Sequence, residues 1–228
     1  MTWRTSSPWS RRAVRGTGVV MEIGIIGSGH IGGTLTRRLR SLGHDVAVAN
    51  SRGPQSLTDL ASSTGARAAT VEEAVQGAQL VVVAIPLKAV PELPAALFEG
   101  KVVVDANNYY PQRDGDIPEL LDLSLTSSRW TADRLKGARL VKAFNNIQAT
   151  HLMDEGKPEG TAGRIALPVA GDDADAKGIV MGLVNDLGFD PVDAGTLDES
   201  WRQQPDTAVY GTDLDADGVR EGLAAARP

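Results

Sequence analysis

Cysteine is absent from the 228 residues, which excludes disulfides, thiolate metal sites and cysteine nucleophiles. The fold stands on packing alone. Long apolar runs are missing as well: no uninterrupted stretch approaches the roughly 20 residues of a membrane-spanning helix, so the chain reads as soluble and cytoplasmic, without a membrane partner. Basic charge is in deficit. Lys and Arg number 23 against 29 Asp and Glu, a formal net charge of -6, and nucleic-acid backbones are held by clustered cations. Nucleic acid is therefore excluded as a partner, while a small anionic ligand needs only local positive charge.

Catalytic signatures are sparse too. Tyr109 is followed four places on by Arg113, and Tyr110 by Asp114, so there is no Tyr-x-x-x-Lys pair. There is no nucleophile elbow and no pair of histidines at metal-ligand spacing, so no metal site is read. The run DLDADGVREGLA from Asp213 begins like a calcium loop, but Ala224 stands at the twelfth position, where a bidentate Glu is needed. Capping of a C-terminal helix by its aspartates explains it better. His30 lies in a glycine loop and His44 precedes a strand. His151 is the one weak candidate for a catalytic proton donor, with capping or packing as the alternative.

What is present is 42% hydrophobic residues, enough for one globular body. Residues 1–20 are basic and Ser-rich and lack periodicity; they read as a disordered extension, or as sequence upstream of a start at Met21. Their Arg11–Arg12 pair is not followed by the apolar run of an export signal. From Met21 short β-branched runs alternate with helical periods, the pattern of a doubly wound, mostly parallel α/β sheet. Strands are predicted at Glu22–Ile26, Asp45–Ala49, Arg67–Ala69, Leu80–Ala84, Lys101–Asp105 and Arg139–Ala143. Helices are predicted at Ile31–Leu42, Gln55–Ser62, Val71–Gln76 and Leu87–Leu97. Tyr109–Ser128 reads as an active-site loop or lid. Residues 21–147 thus form a Rossmann domain, and 148–228 an extension of strands and helices on the same sheet that completes the substrate cleft, with no large separate helical domain.

The stretch IIGSGHIGG, Ile25–Gly33, follows a predicted strand and opens a predicted helix, the context in which GxGxxG holds a pyrophosphate. Gly27 permits the turn, Gly29 the close approach of phosphate, and Gly32 the packing of helix on strand. Gly27, Ser28, Gly29, His30, Ile31 and Gly32 form the expected cradle. At the second strand's end the chain reads Asn50, Ser51, Arg52, with no acid for a ribose 2′-hydroxyl. A cation beside a short hydroxyl suits a 2′-phosphate, so NADP is favoured over NAD; a solvated turn arginine is the alternative. Further strand ends place Ala84, Ile85 and Pro86, then Asn107 and Asn108, then Ala143, Phe144 and Asn145 along the same cleft.

GIIGSGHIGGTL, NSRGP, VVVAIP and KAFNNI together resemble the coenzyme F420-dependent NADP oxidoreductases, and are similar to the nucleotide-binding domain of the six-transmembrane metalloreductases. The resemblance spans about Glu22 to Asp193. It implies hydride exchange between NADP(H) and the deazaflavin coenzyme F420, a homodimer, and Phe144 and Asn145 bordering the nicotinamide. NIQATHL and ESWRQQPDTAVYGTD depart from the pattern. Asn146, Ile147, Trp201 and Gln204 are candidate substrate contacts. Two other readings stay open: an NADPH-dependent reductase of a carbonyl, imine or flavin, and a non-catalytic NADP sensor.

Overall fold

A computed structural model describes residues 20–227, so the extension read at residues 1–20 lies outside the described residues except for Val20. Eight strands form one sheet in the order β3-β2-β1-β4-β5-β6-β7-β8. The first six, β1 (Glu22–Ile26), β2 (Asp45–Ala49), β3 (Arg67–Ala68), β4 (Leu80–Val83), β5 (Val102–Asp105) and β6 (Arg139–Lys142), run parallel. β7 (Ala166–Gly171) pairs antiparallel with β6, and β8 (Asp190–Asp193) runs parallel to β7.

The apolar runs are explained by cover on both faces. Ile23, Ile25, Val46, Val48, Leu80, Val82, Val102 and Val104 pack into one cluster. Ala47, Ala49, Val81, Val83 and Val103 point the other way into a second, the period-2 alternation of a strand buried on both sides. Helix α1 (His30–Ser41) covers the first face, and α3 (Val71–Gln76) begins at a Thr70 and Glu73 capping box.

Three departures from expectation have plain causes. No single helix spans Leu87–Leu97: 3-10 turns at Leu87–Glu92 and Ala95–Phe98 replace it, because Pro91 and Pro94 lack the N–H that an α-helix requires. Gln55–Ser62 is a 3-10 turn at Pro54–Leu57 followed by α2 (Thr58–Thr64). Tyr109–Ser128 is not an open loop, since it carries α4 (Pro111–Asp114), α5 (Pro118–Leu121) and the start of α6 (Ser127–Arg134). Prolines at the first helical positions of α4 and α5 start those turns.

Beyond β6, α7 (Ala149–Asp154) and α8 (Ala174–Asp186) precede a 3-10 segment at Leu197–Gln203 and the last helix, α9 (Ala216–Ala225). Asp173 caps α8 through Ala176 N–H at 2.9 Å, and Asp215 caps α9 through Gly218 N–H at 3.0 Å. That second bond is the capping role expected of the calcium-like run. Among the described residues no helix is long and apolar enough to cross a membrane.

Candidate functional site

The carboxyl ends of β1, β2, β4, β5 and β6 meet along one edge, where the strand order reverses between β1 and β4. In open α/β sheets this crevice is the ligand-binding edge. Gly27 turns there with φ 111°, and its N–H donates to the Ala49 carbonyl at 2.8 Å. A Cβ on Gly27 would strike the Ala84 carbonyl, and one on Gly32 would strike the Gly27 carbonyl. A Cβ on Gly29 would meet nothing within 4 Å. Gly29 also starts α1 without a side-chain cap and with no acid in the first turn, so the helix's first N–H groups stand ready for an anion.

At the tip of β2, Asn50 organises the turn. Its amide donates to Ser28 Oγ at 3.0 Å, and its Oδ1 accepts from Arg52 N–H at 2.9 Å and Ser56 Oγ at 3.0 Å. Ser51 and Arg52 are exposed beside the glycine loop. Ala84 and Ile85 are half-buried and Pro86 is exposed, while Ile85 N–H donates to Asn107 Oδ1 at 2.8 Å. A pocket of about 490 Å³ opens against Ser28, Gly29, His30 and Arg37, with Thr150 and Met153 opposite.

The run Ala143–Ile147 is wholly buried. The Phe144 ring does not border an open cleft: it packs into the core with Ile147, Leu152 and Leu167, and its backbone is held at φ 61°. A left-handed non-glycine residue is strained, as functional turns often are. Asn145 and Asn108 face each other instead. Asn145 Nδ2 donates to Asn108 Oδ1 at 3.0 Å and to the Gln203 carbonyl at 2.7 Å, and its Oδ1 accepts from Gln203 Nε2 at 3.0 Å. Asn108 Nδ2 donates to the Asn145 carbonyl at 2.8 Å and to Tyr210 Oη at 3.4 Å. These amides, expected to bind the cofactor, are thus committed to one another and to the C-terminal segment. Asn146 anchors that segment as well, through the Val209 carbonyl at 3.2 Å and Gly211 N–H at 2.8 Å.

Trp201 and Gln204, read as candidate substrate contacts, lie apart from the glycine loop. Trp201 and Gln204 line a separate cavity of about 590 Å³ with Leu120, Leu123 and Leu125. The three-residue repeat of a 3-10 helix puts Trp201 and Gln204 on one side, and on the other Ser200 and Gln203, both buried. Gln203 faces inward instead, and its Nε2 donates to Asn145 Oδ1 at 3.0 Å and to the Pro168 carbonyl at 3.2 Å. His151 Nδ1 meets Asp213 Oδ1 at 2.8 Å, which ties α7 to the segment before α9 rather than to the glycine loop.

Two features of the site escaped the sequence reading. Lys142 is fully buried at the end of β6 and donates to Asp105 Oδ2 at 3.2 Å and to the Asn107 carbonyl. Ser128 Oγ donates to the same carboxylate oxygen at 2.7 Å, and Asn107 N–H donates to the other at 3.0 Å. Burial lowers the Lys142 pKa, and the Asp105 charge opposes that shift. The only signal in sequence is that two adjacent apolar strands, VVVD and RLVK, each end in a charge. The second feature is a hydroxyl pair: Tyr110 Oη meets Tyr210 Oη, and Arg113 lies over the Tyr110 ring, 4.9 Å from its centroid. Tyr110 and Tyr210 are 100 residues apart, so periodicity cannot pair them.

Residues 22–109 match the family model described as NADP oxidoreductase, coenzyme F420-dependent. That match covers 88 residues, less than half of the chain, and runs from β1 to the turn after β5. Over 197 residues, 82% of its length, it is 30% identical to the metalloreductase STEAP3 of Rattus norvegicus, covering 38% of that protein. It spans less than half the length of the curated relatives it matches. A solved structure of a hypothetical protein from Sinorhizobium meliloti shares 32% identity at a TM-score of 0.74, over 86% of this chain and 95% of that one. Another, from Arthrobacter sp. FB24 and provisionally assigned as an F420-dependent NADP reductase, shares 27% identity at a TM-score of 0.67, over 78% of this chain and 86% of that one.

Proposed function

We propose that this chain is an NADP(H)-dependent oxidoreductase that passes hydride between NADPH and a second redox partner, a deazaflavin of the coenzyme F420 type. The observation that carries it is the pairing of an open Gly29, where a Cβ would meet nothing within 4 Å, with exposed Ser51 and Arg52 at the tip of β2. A pyrophosphate fits the first and a 2′-phosphate the second. The cofactor supplies hydride chemistry when bound. The protein's part is to hold phosphates on backbone N–H groups, to position the dinucleotide's middle at Ala84–Pro86, and to fix the floor near Asn107 and Asn108. The family match over residues 22–109 and the likeness to the Arthrobacter structure support the deazaflavin as partner. A homodimer working in the cytoplasm completes this reading.

A reductase of small carbonyls or imines is the second reading, favoured by the Tyr110 and Tyr210 hydroxyl pair, which Asn108 ties to the turn after β5. Loss of the NADPH absorbance band with coenzyme F420, FMN and small carbonyls each offered in turn separates the two. Oxidation with F420 is expected. Oxidation with carbonyls alone overturns the deazaflavin reading, and oxidation with none leaves the protein an NADP sensor.

A further inference from the structure

Donor and acceptor arithmetic in the polar cluster beyond β5 and β6 singles out one hydroxyl. Asn108 Nδ2 donates to Tyr210 Oη at 3.4 Å, after giving its other hydrogen to the Asn145 carbonyl at 2.8 Å. Tyr210 Oη therefore has two partners, Asn108 and Tyr110, whereas among the described residues Tyr110 Oη has Tyr210 alone, and either hydroxyl can donate the bond they share. Burial, and next the Tyr110 hydroxyl, push the Tyr210 pKa up, so its proton stays in place. When Tyr210 donates the shared bond, the Tyr110 O–H is left for a ligand. The third tyrosine cannot compete, because Tyr109 Oη donates to the Gly115 carbonyl at 2.9 Å and accepts from Ile117 N–H at 3.1 Å.

The Tyr110 backbone is fixed by its N–H donating to Asp114 Oδ2 at 3.0 Å, and Arg113 Nη2 donates to the Asn108 carbonyl at 2.6 Å while its guanidinium covers the Tyr110 ring. Arg113, Asp114 and Asp206 are the charges around the hydroxyl pair. Tyr110 and Tyr210 are both half-buried, so each keeps part of its surface open to solvent.

We infer that Tyr110 is a catalytic residue, the hydrogen-bond and proton donor to the heteroatom of the second substrate, with Tyr210 as the positioning residue that aims it. This rests on the proposed NADP(H) chemistry. The substrate class it selects has a C=O or C=N group conjugated to, or containing, the carbon that receives hydride. That carbon gains a C–H bond with the electron pair from NADPH, which is oxidised to NADP+. The π pair moves onto the heteroatom, and the Tyr110 O–H bond breaks to protonate it. Tyr110 recovers a proton from solvent, while Tyr210 keeps its own and holds the Tyr110 hydroxyl in place. Deazaflavins, carbonyls and imines share this chemistry.

The test compares wild type, Tyr110→Phe and Tyr210→Phe with coenzyme F420, a small ketone and a cyclic imine. The first readout is NADPH affinity by fluorescence, expected near wild type in both variants, which shows that they fold. The second is turnover with its solvent deuterium effect. Tyr110→Phe should lose roughly 10²–10⁴-fold in kcat, the usual weight of a general acid, together with its solvent effect. Tyr210→Phe should fall between the two and keep that effect. The third needs no turnover: calorimetric affinity of the oxidised acceptor for the NADP+-loaded protein should drop about three- to tenfold in Tyr110→Phe, the loss of one hydrogen bond. Wild-type turnover with unchanged kcat and acceptor affinity in Tyr110→Phe overturns this assignment alone. Failure of wild type to bind NADPH, or to oxidise it with any acceptor, overturns the function beneath it and this assignment together.

Discussion

Gly27 and Gly29 are two residues apart in one loop, yet they differ in what a methyl group would meet. At Gly27 a Cβ collides with the Ala84 carbonyl on a backbone at φ 111°, whereas at Gly29 it enters open space. Gly27→Ala should therefore lose stability by at least about 1–2 kcal/mol, the penalty for an L residue at positive φ. Gly29→Ala should melt like wild type but lose the stabilisation that added NADPH gives. Thermal melts with and without NADPH check both, and a Gly29→Ala variant that still gains the full NADPH shift contradicts the cradle. The turn at Gly27 was legible in sequence from its place directly after a strand, and the structure holds it at φ 111°; phosphate approach at Gly29 is what the NADPH melts decide. The roles of Asn108, Asn145 and Gln203 were not legible. An Asn at a strand end looks the same whether its amide faces a ligand or another amide, and only the path of residues 203–211 over β6 decides.

At the scale of elements, the buried Lys142 and Asp105 pair locks β5 to β6 and, through Asn107, to Ile85 beyond β4. Removing one partner leaves the other charge buried and alone, typically a loss of about 3–5 kcal/mol. Lys142→Met should therefore lower the melting temperature sharply. Adding Asp105→Leu should recover much of that loss, since an apolar pair of similar volume is often tolerated. Equal melting of the single and double variants would show that the two charges are not coupled. Strand positions were readable because β1, β2 and β4 to β6 are short apolar runs punctuated by Gly, Asp or Asn. The predicted helix at Leu87–Leu97 was misread because apolar spacing suggested a turn every three to four residues, and the two prolines inside it were given too little weight.

For the molecule as a whole, the antiparallel joint between β6 and β7 lets the C-terminal segments extend the same sheet. There Ala166, Ala170, Val192, Val209, Val219 and Leu223 form a third apolar cluster. FDPVDAG reads as a strand and forms β8, but the packing of Val192 against Val219 and Leu223 of α9 joins segments that periodicity cannot pair. Just before β2, buried His44 accepts from Met21 N–H at 3.2 Å. Burial lowers its pKa below 6.5, against the opposing pull of Asp186 and Asp45. The folded chain then binds the proton less readily than the unfolded chain. Stability from His44 is complete above about 6.5 and is lost as pH falls through the lower folded value. The melting temperature should decline on acidification through this range, with a shallower decline in His44→Gln; identical slopes would contradict this.

The central claim is that the glycine loop and the tip of β2 hold NADP(H) in preference to NAD(H). Calorimetric titration of wild type and Arg52→Gln with NADPH and NADH tests it most directly. Wild type should bind NADPH at least tenfold tighter than NADH, and Arg52→Gln should erase most of that preference while leaving NADH affinity unchanged, as expected for one charged hydrogen-bond donor to a phosphate. Equal or tighter binding of NADH by wild type, or an Arg52→Gln variant that keeps the full preference, would contradict it.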